Sequence, residues 1–160
     1  RLGRRLSDGV MTAIAGVEGW DATPEVWACR QEVALPLKEG YRPVDEVLLA
    51  DWQMAAPESH HLTEVQALGV GEGAFLGLPG EPFASLGRAI QDRSRFRYLL
   101  ITALTNEFGA ISYVGDREAY DLGGYETAFT PVGAGAGEVL VDRAVALLSV
   151  GGVKQGPGAG

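Results

Sequence analysis

Val65-Gln66-Ala67-Leu68-Gly69-Val70-Gly71-Glu72-Gly73-Ala74-Phe75-Leu76-Gly77-Leu78-Pro79-Gly80-Glu81-Pro82 is the stretch whose reading decides the fold. Two apolar runs, Val65 to Val70 and Ala74 to Leu78, flank Gly71-Glu72-Gly73 and predict a β-hairpin turned by glycine, which reaches positive φ without steric cost. Pro79-Gly80-Glu81-Pro82 ends the second strand. Pro82 suits the first position of a helix, where its missing N–H leaves nothing unsatisfied. The spacing of Phe83, Leu86 and Ile90 carries that helix to about Asp92. Tyr98-Leu99-Leu100-Ile101-Thr102-Ala103-Leu104 is a short apolar run, expected as a buried strand that delivers Thr105-Asn106 to a loop.

Outward from this core, residues 26 to 36 alternate loosely, with Trp27, Cys29, Val33 and Leu35 on one side, and predict a strand ended by Pro36. Residues 2 to 18 place Leu2, Leu6, Val10, Met11, Ile14 and Val17 at helical spacing, the mark of an amphipathic helix broken by Trp20-Asp21-Ala22-Thr23-Pro24. Residues 41 to 64 show no clear period beyond Val44–Trp52 and are expected as a loop or short-helix connection. Towards the C-terminus, Asp116 to Tyr120 suggests one helical turn. Gly137 to Val150 predicts a helix with Leu140, Ala144, Leu147 and Leu148 on its apolar face. A hairpin beside a strand–helix–strand unit gives an α/β (mixed α+β) domain over residues 1–150, with a mixed sheet and helices packed on its outer face. Residues 151–160 form a Gly-rich tail expected to be disordered.

At 160 residues the chain is long enough for one real core. Its 13 basic and 21 acidic residues give a net charge of −8, which argues against a general nucleic-acid partner, because such partners need a basic face to displace counterions. No apolar run approaches the roughly 18 residues of a membrane helix. A single cysteine, Cys29, excludes an internal disulfide and any multi-cysteine metal centre. The chain starts at Arg1 and enters a helical pattern at once, as though cut from something longer.

Several motifs invite chemistry. His60-His61 suggests metal binding, but adjacent residues diverge on a strand or a helix, so we expect a surface loop. With no other histidine, neither a His-rich zinc site nor a histidine triad can be completed from this chain. Gly133-Ala134-Gly135-Ala136-Gly137 resembles a phosphate-binding turn but lacks the P-loop Lys-Ser/Thr and the GxGxxG spacing, so a helix connector is expected there and nucleotide binding is a third, weaker reading. Arg93, Arg95 and Arg97 are expected as a solvated edge, with an anionic ligand as the alternative. The more specific constellation spans three junctions: Glu81 at a strand end, Asn106 at the end of the next strand, and Gly123-Gly124-Tyr125-Glu126, whose paired glycines permit close backbone approach.

In this order, Val70–Phe83 with Gly87, Leu104-Thr105-Asn106-Glu107-Phe108, Glu118-Ala119-Tyr120 and Gly123-Gly124-Tyr125-Glu126-Thr127 resemble the carboxy-terminal half of the catalytic domain of neutral/alkaline, non-lysosomal ceramidases and their bacterial relatives. The likeness covers residues 64 to 150 well and the first 60 weakly. It implies a larger ceramidase-like domain and a zinc ion that polarises an amide carbonyl and lowers the pKa of a bound water. It also implies that Glu81 and Tyr125 are metal ligands, with two further histidine ligands contributed from outside this chain. Glutamate is a common zinc ligand, whereas a phenol with a pKa near 10 ligates only beside a cation. Asn106 and Glu126 would orient those ligands. No Ser-Thr run follows Tyr125 here, which points to a different amide or ester substrate or to no hydrolytic role.

The expected function is therefore a zinc-dependent amide or ester hydrolase, completed by an amino-terminal half or a processed partner chain and acting on a small amphipathic substrate. If typical of the family it would be secreted or periplasmic. The alternative is a non-catalytic subunit or interaction module that keeps the fold without the metal.

Overall fold

The computed structural model describes residues 1–41, 59–106 and 111–151. The Val44–Trp52 stretch, Glu107-Phe108 and residues 152–160 of the expected tail lie outside the described residues. In chain order the elements are α1 (Leu2–Ala15), β1 (Val26–Pro36), β2 (His60–Val70), β3 (Gly73–Gly77), β4 (Glu81–Pro82), α2 (Ala84–Arg93), β5 (Tyr98–Thr102), β6 (Tyr113–Val114), α3 (Arg117–Leu122), α4 (Tyr125–Phe129) and α5 (Ala136–Val150).

The hairpin forms as read. Val70 stands opposite Gly73, and Gly71 takes φ 56 in the turn, as a first turn position with glycine allows. Four strands make a mixed sheet in the order β1-β2-β3-β5, antiparallel except for the β3–β5 pair. The parallel β3–β5 pair is the strand–helix–strand unit, with α2 as its crossover. A second, two-stranded parallel sheet pairs β4 with β6.

Alternation sorts the residues of the large sheet onto two unlike faces. Val33, Leu35, Val65, Ala67, Ala74 and Leu76 are buried, and over them lie Leu86 and Ile90 of α2 and Leu140, Ala144, Leu147 and Leu148 of α5. The apolar face expected for the last helix is thus the one that is buried. Two glycines make this packing close: a Cβ on Gly137 would lie 2.3 Å from the Gly115 carbonyl oxygen, and one on Gly69 would lie 2.0 Å from the Trp27 indole. Arg95 closes the far end of α5 by donating to the carbonyls of Leu148 and Gly151.

The opposite face is open among the described residues. Val26, Leu68, Val70, Phe75, Tyr98 and Leu100 share it, each between 39% and 63% exposed. The helix α1 is equally bare: it buries no residue, and Leu2, Leu6, Val10, Met11 and Ile14 all face solvent.

Four expectations are corrected. The run Tyr98–Leu104 is not a buried strand: only Tyr98–Thr102 forms a strand, the edge strand β5, whose residues alternate half-buried and exposed because only one face of the sheet is covered among the described residues. Pro82 does not open α2 but belongs to β4; the helix starts at Ala84, with Phe83 as its N-cap. Strand β2 begins at His60 rather than near Val65, so His60-His61 lie on a strand and not in a surface loop. Finally, α1 stops at Ala15, short of residue 18, with Gly16 as its C-cap.

Core and open face should respond differently to substitution. Leu140→Ala is expected to cost about 2–5 kcal/mol and Gly69→Ala about 1–3 kcal/mol through overpacking against Trp27. Leu100→Thr should fall within about 0.5 kcal/mol of wild type. Urea unfolding followed by circular dichroism measures all three, and a loss at Leu100 comparable with that at Leu140 would show that the open face is part of the core.

Candidate functional site

The site begins at Pro79-Gly80-Glu81. Gly80 has φ 60, and a Cβ there would lie 2.7 Å from the Ser112 carbonyl oxygen and 2.9 Å from that of Ile111. Only glycine fits so close to the neighbouring backbone. Glu81 N–H donates to Ser112 O (2.7 Å) and Phe83 N–H to Val114 O (2.9 Å). In this parallel ladder the N–H groups of alternate residues face the partner, so Pro82 between them sacrifices no bond. From the other side, Leu104 N–H donates to Gly80 O (2.8 Å) and Thr105 N–H to Leu78 O (3.0 Å). The strand-end loops expected after β3 and β5 are therefore bonded to each other.

Register places Tyr113 beside Glu81. The chain then turns through α3, whose N-cap Asp116 accepts from Ala119 N–H (2.9 Å) and from the Ser85 hydroxyl (2.5 Å); the Ser85 bond, then the Ala119 bond, hold its carboxyl below the usual range. Tyr120 anchors the turn by donating its hydroxyl to Val132 O (2.8 Å), and burial, aided by the charge of Glu138, pushes its phenol up to about 12. Gly123 and Gly124 take φ 73 and 133. No heavy atom lies within 4 Å of a Cβ built on Gly123, and on Gly124 only Glu126 Oε2 does, at 3.8 Å. Among the described residues no backbone closely approaches the paired glycines, whose positive φ turns the chain into α4. They launch α4, which Lys38 fixes from the end of β1 by donating its ammonium to the carbonyls of Thr127 (2.6 Å) and Ala128 (3.0 Å). Burial lowers the Lys38 pKa.

These pieces converge on Tyr113. The Tyr125 ring meets it edge-on at 6.0 Å between centroids and 69° between planes, and itself stacks on Phe129 at 5.3 Å. The phenol of Tyr113 is raised above its ordinary pKa, first by the charge of Glu81, then by burial, then by Tyr125 and Glu126. Of the site expected from three loops, two loops meet at Tyr113: Glu81 stands beside it in register and Tyr125 packs on its ring, with the charge of Glu126 near enough to act on its phenol, while the Asn106 loop does not join them. Tyr125 is 62% exposed and is not a core residue. The arrangement offers two carboxylates and two phenols, all oxygen ligands, in a negatively charged neighbourhood suited to a cation. Among the described residues no three His, Cys, Asp or Glu side chains gather closely enough to hold a metal ion.

Asn106 goes elsewhere. Its side-chain amide donates to Glu64 Oε1 (3.0 Å), a carboxylate of β2, and its backbone takes φ 54. Tyr113 is the residue that sequence reasoning missed: its strand is two residues long, too short for any period, and the only signal is a tyrosine between Ile111 and Val114. The remaining motifs have structural explanations. His61 is buried and His60 turns the other way, its Nδ1 2.9 Å from the Ser59 hydroxyl, so the pair diverges as expected. The Gly133–Gly137 turn packs closely: a Cβ on Gly133 would lie 3.0 Å from Leu37 O, and Glu138 of the same segment accepts from Arg117 N–H (2.9 Å). Arg93 pairs with Asp142 (2.8 Å), while Arg95 and Arg97 lie over the rings of Phe96 and Tyr98.

No protein-family model matches the chain, and no curated protein matches it. Solved structures do. One described as a ceramidase complexed with C2 is similar with a TM-score of 0.51 and 19% sequence identity, over 77% of this chain and 30% of its own. The neutral ceramidase from Pseudomonas aeruginosa is similar with a TM-score of 0.51 and 20% identity, over 78% of this chain and 29% of its own. The resemblance read from the motifs thus holds at the level of the fold, and this chain spans less than a third of the length of the structures it matches.

Removing the charge of Glu81 in Glu81→Gln should lower the Tyr113 titration midpoint towards the ordinary phenol value, since an adjacent anion disfavours the phenolate. Glu126→Gln should lower it less. Tyrosine ¹³Cζ chemical shifts followed against pH report both, and a Tyr113 midpoint indifferent to Glu81→Gln would separate the two side chains.

Proposed function

We propose that this chain is the part of a zinc-dependent hydrolase that contributes Glu81 and a tyrosine phenol to the metal site, acting on the amide or ester bond of a small amphipathic substrate. The observation that carries this reading is the convergence of Glu81, Tyr113, Tyr125 and Glu126 from β4, β6 and α4. The donor set fits a cation in part. A carboxylate and a phenol are two of the four positions that zinc usually fills, and the described residues offer no third His, Cys, Asp or Glu beside them. Zinc, when bound, supplies Lewis-acid polarisation of the scissile carbonyl.

The chain's own residues do the rest. Glu81, held by the Ser112 bond, presents a carboxylate whose position the backbone fixes. Tyr125 is our proposed second ligand, and Tyr113, beside Glu81 in register, competes with it for that role. The Tyr113 phenol, raised first by the charge of Glu81, would give up its proton more readily beside a cation that offsets that field. Glu126 orients the phenols. Two histidines would come from a further polypeptide, an amino-terminal part of the same domain or a separate partner. The open sheet face and the bare stripe of α1 support such a partner, because contiguous exposed apolar surface marks an interaction site.

The incomplete ligand set and the same bare surfaces favour one other reading, a non-catalytic interaction module that keeps the fold without metal. Zinc content and affinity, measured on the assembly that contains this chain, decide between them. Glu81→Ala should weaken zinc binding by more than about tenfold, on the scale seen when even outer partners of metal ligands are lost. Of Tyr125→Phe and Tyr113→Phe, the one that removes the ligand should do likewise. Zinc binding unchanged in all three variants would remove the proposal and leave the interaction module.

A further inference from the structure

We infer that Glu64 is a positioning residue for the candidate site: its carboxylate, seated on the open face of the sheet, holds the loop 103–106 in place and through that loop fixes the turn that carries Glu81. The inference rests on the reading of Glu81 as a functional residue. Glu64 is only 8% exposed although its strand neighbours on that face, Leu68 and Val70, are open to solvent. Three donors account for its burial. Gln66 Nε2 (2.5 Å) and Asn106 Nδ2 (3.0 Å) donate to Oε1, and Arg30 Nη1 (3.2 Å) donates to Oε2. Burial alone would raise its pKa, but the bonds from Asn106, Gln66 and Arg30, with the charge of Arg30, outweigh this and lower it, so the carboxylate stays ionised.

What Glu64 grips is an unusual piece of backbone. Leu104 and Asn106 both have φ 54, the only non-glycine residues in the left-handed region among those described. Strained backbone persists where the surroundings over-determine it, and such positions cluster at functional sites. Here the surroundings can be named. Thr105 packs on Gly77 of β3 so closely that a Cβ there would lie 2.5 Å from its methyl carbon, and its hydroxyl lies 3.1 Å from that of Thr102. The amides of Leu104 and Thr105 then reach the carbonyls of Gly80 and Leu78. An unbroken set of contacts thus runs from Arg30 and Glu64 through Asn106 and Leu104 to Gly80, the residue before Glu81.

Native-state amide hydrogen exchange tests this without any metal. In Glu64→Ala, and in the isosteric Glu64→Gln, protection of the Leu104, Thr105 and Glu81 amides should fall about tenfold or more, while the core amides of Leu76 and Leu140 keep theirs. Asn106→Gly, which permits the backbone angle but removes the donor, should show the same selective loss. Unchanged protection at the three amides, or a loss shared equally by the core, would overturn the inference and leave Glu64 as a stability residue only. Zinc affinity of the same variants gives the independent comparison. If the assembly that contains the wild-type chain binds no zinc but the variants show the selective exchange pattern, the metal reading fails while the positioning role stands.

Discussion

The missing side chain at Gly80 is the constraint on which the site depends. Backbone from the segment before β6 comes so near that no Cβ can be accommodated, and the Gly80 carbonyl is already taken by the amide of Leu104. Three segments distant in sequence meet at this one residue: the end of β3, the end of β5 and the start of β6. Glu81 emerges from that junction with its main chain bonded and its register against Tyr113 fixed. Everything further out adds to this arrangement without being able to create it, whether the Asp116 cap, the Tyr120 anchor or Lys38 on the carbonyls of α4. The electrostatics follow: the charge of Glu81, then burial, then Tyr125 and Glu126 raise the Tyr113 phenol above its ordinary pKa.

Among the described residues the sheet is covered on one side only. Helices α2 and α5 bury one face, while the other carries an apolar half, Val26, Leu68, Val70, Phe75, Tyr98 and Leu100, and a polar half centred on Glu64. The helix α1 repeats the theme with an apolar stripe of which no residue is buried among the described residues. A domain usually buries such surfaces between layers. The similar ceramidase structures are more than three times as long as the matched portion.

Much of this was legible in the residues. The hairpin at Gly71, strand β1 with its inward Trp27, Cys29, Val33 and Leu35, the final helix and its buried face, and the mixed sheet all follow from period and turn chemistry. The expected grouping of Glu81, Asn106, Tyr125 and Glu126 was only partly followed by the fold: Tyr125 packs on the Tyr113 that stands in register with Glu81, while Asn106 bonds to Glu64. What failed did so for tertiary reasons. Pro82 has the right chemistry for a helix start, but a parallel partner two residues long claimed it first. The run Tyr98–Leu104 is as apolar as a central strand, yet its outward residues face solvent because nothing described here covers that side. Asn106 belongs to Glu64, a pairing made across 42 positions of sequence that no local pattern records. Tyr113 lacked any period at all, and its importance comes entirely from the strand beside it.

The central claim, that β4, β6 and α4 bring Glu81 and Tyr125 to the same tyrosine, is tested most directly by nuclear Overhauser contacts of the Tyr113 ring. The account predicts contacts from its ring protons both to the Glu81 side chain and to the Tyr125 ring, whose centroid lies 6.0 Å away. A spectrum in which Tyr125 contacts Phe129 alone, and Tyr113 contacts neither Glu81 nor Tyr125, would contradict it.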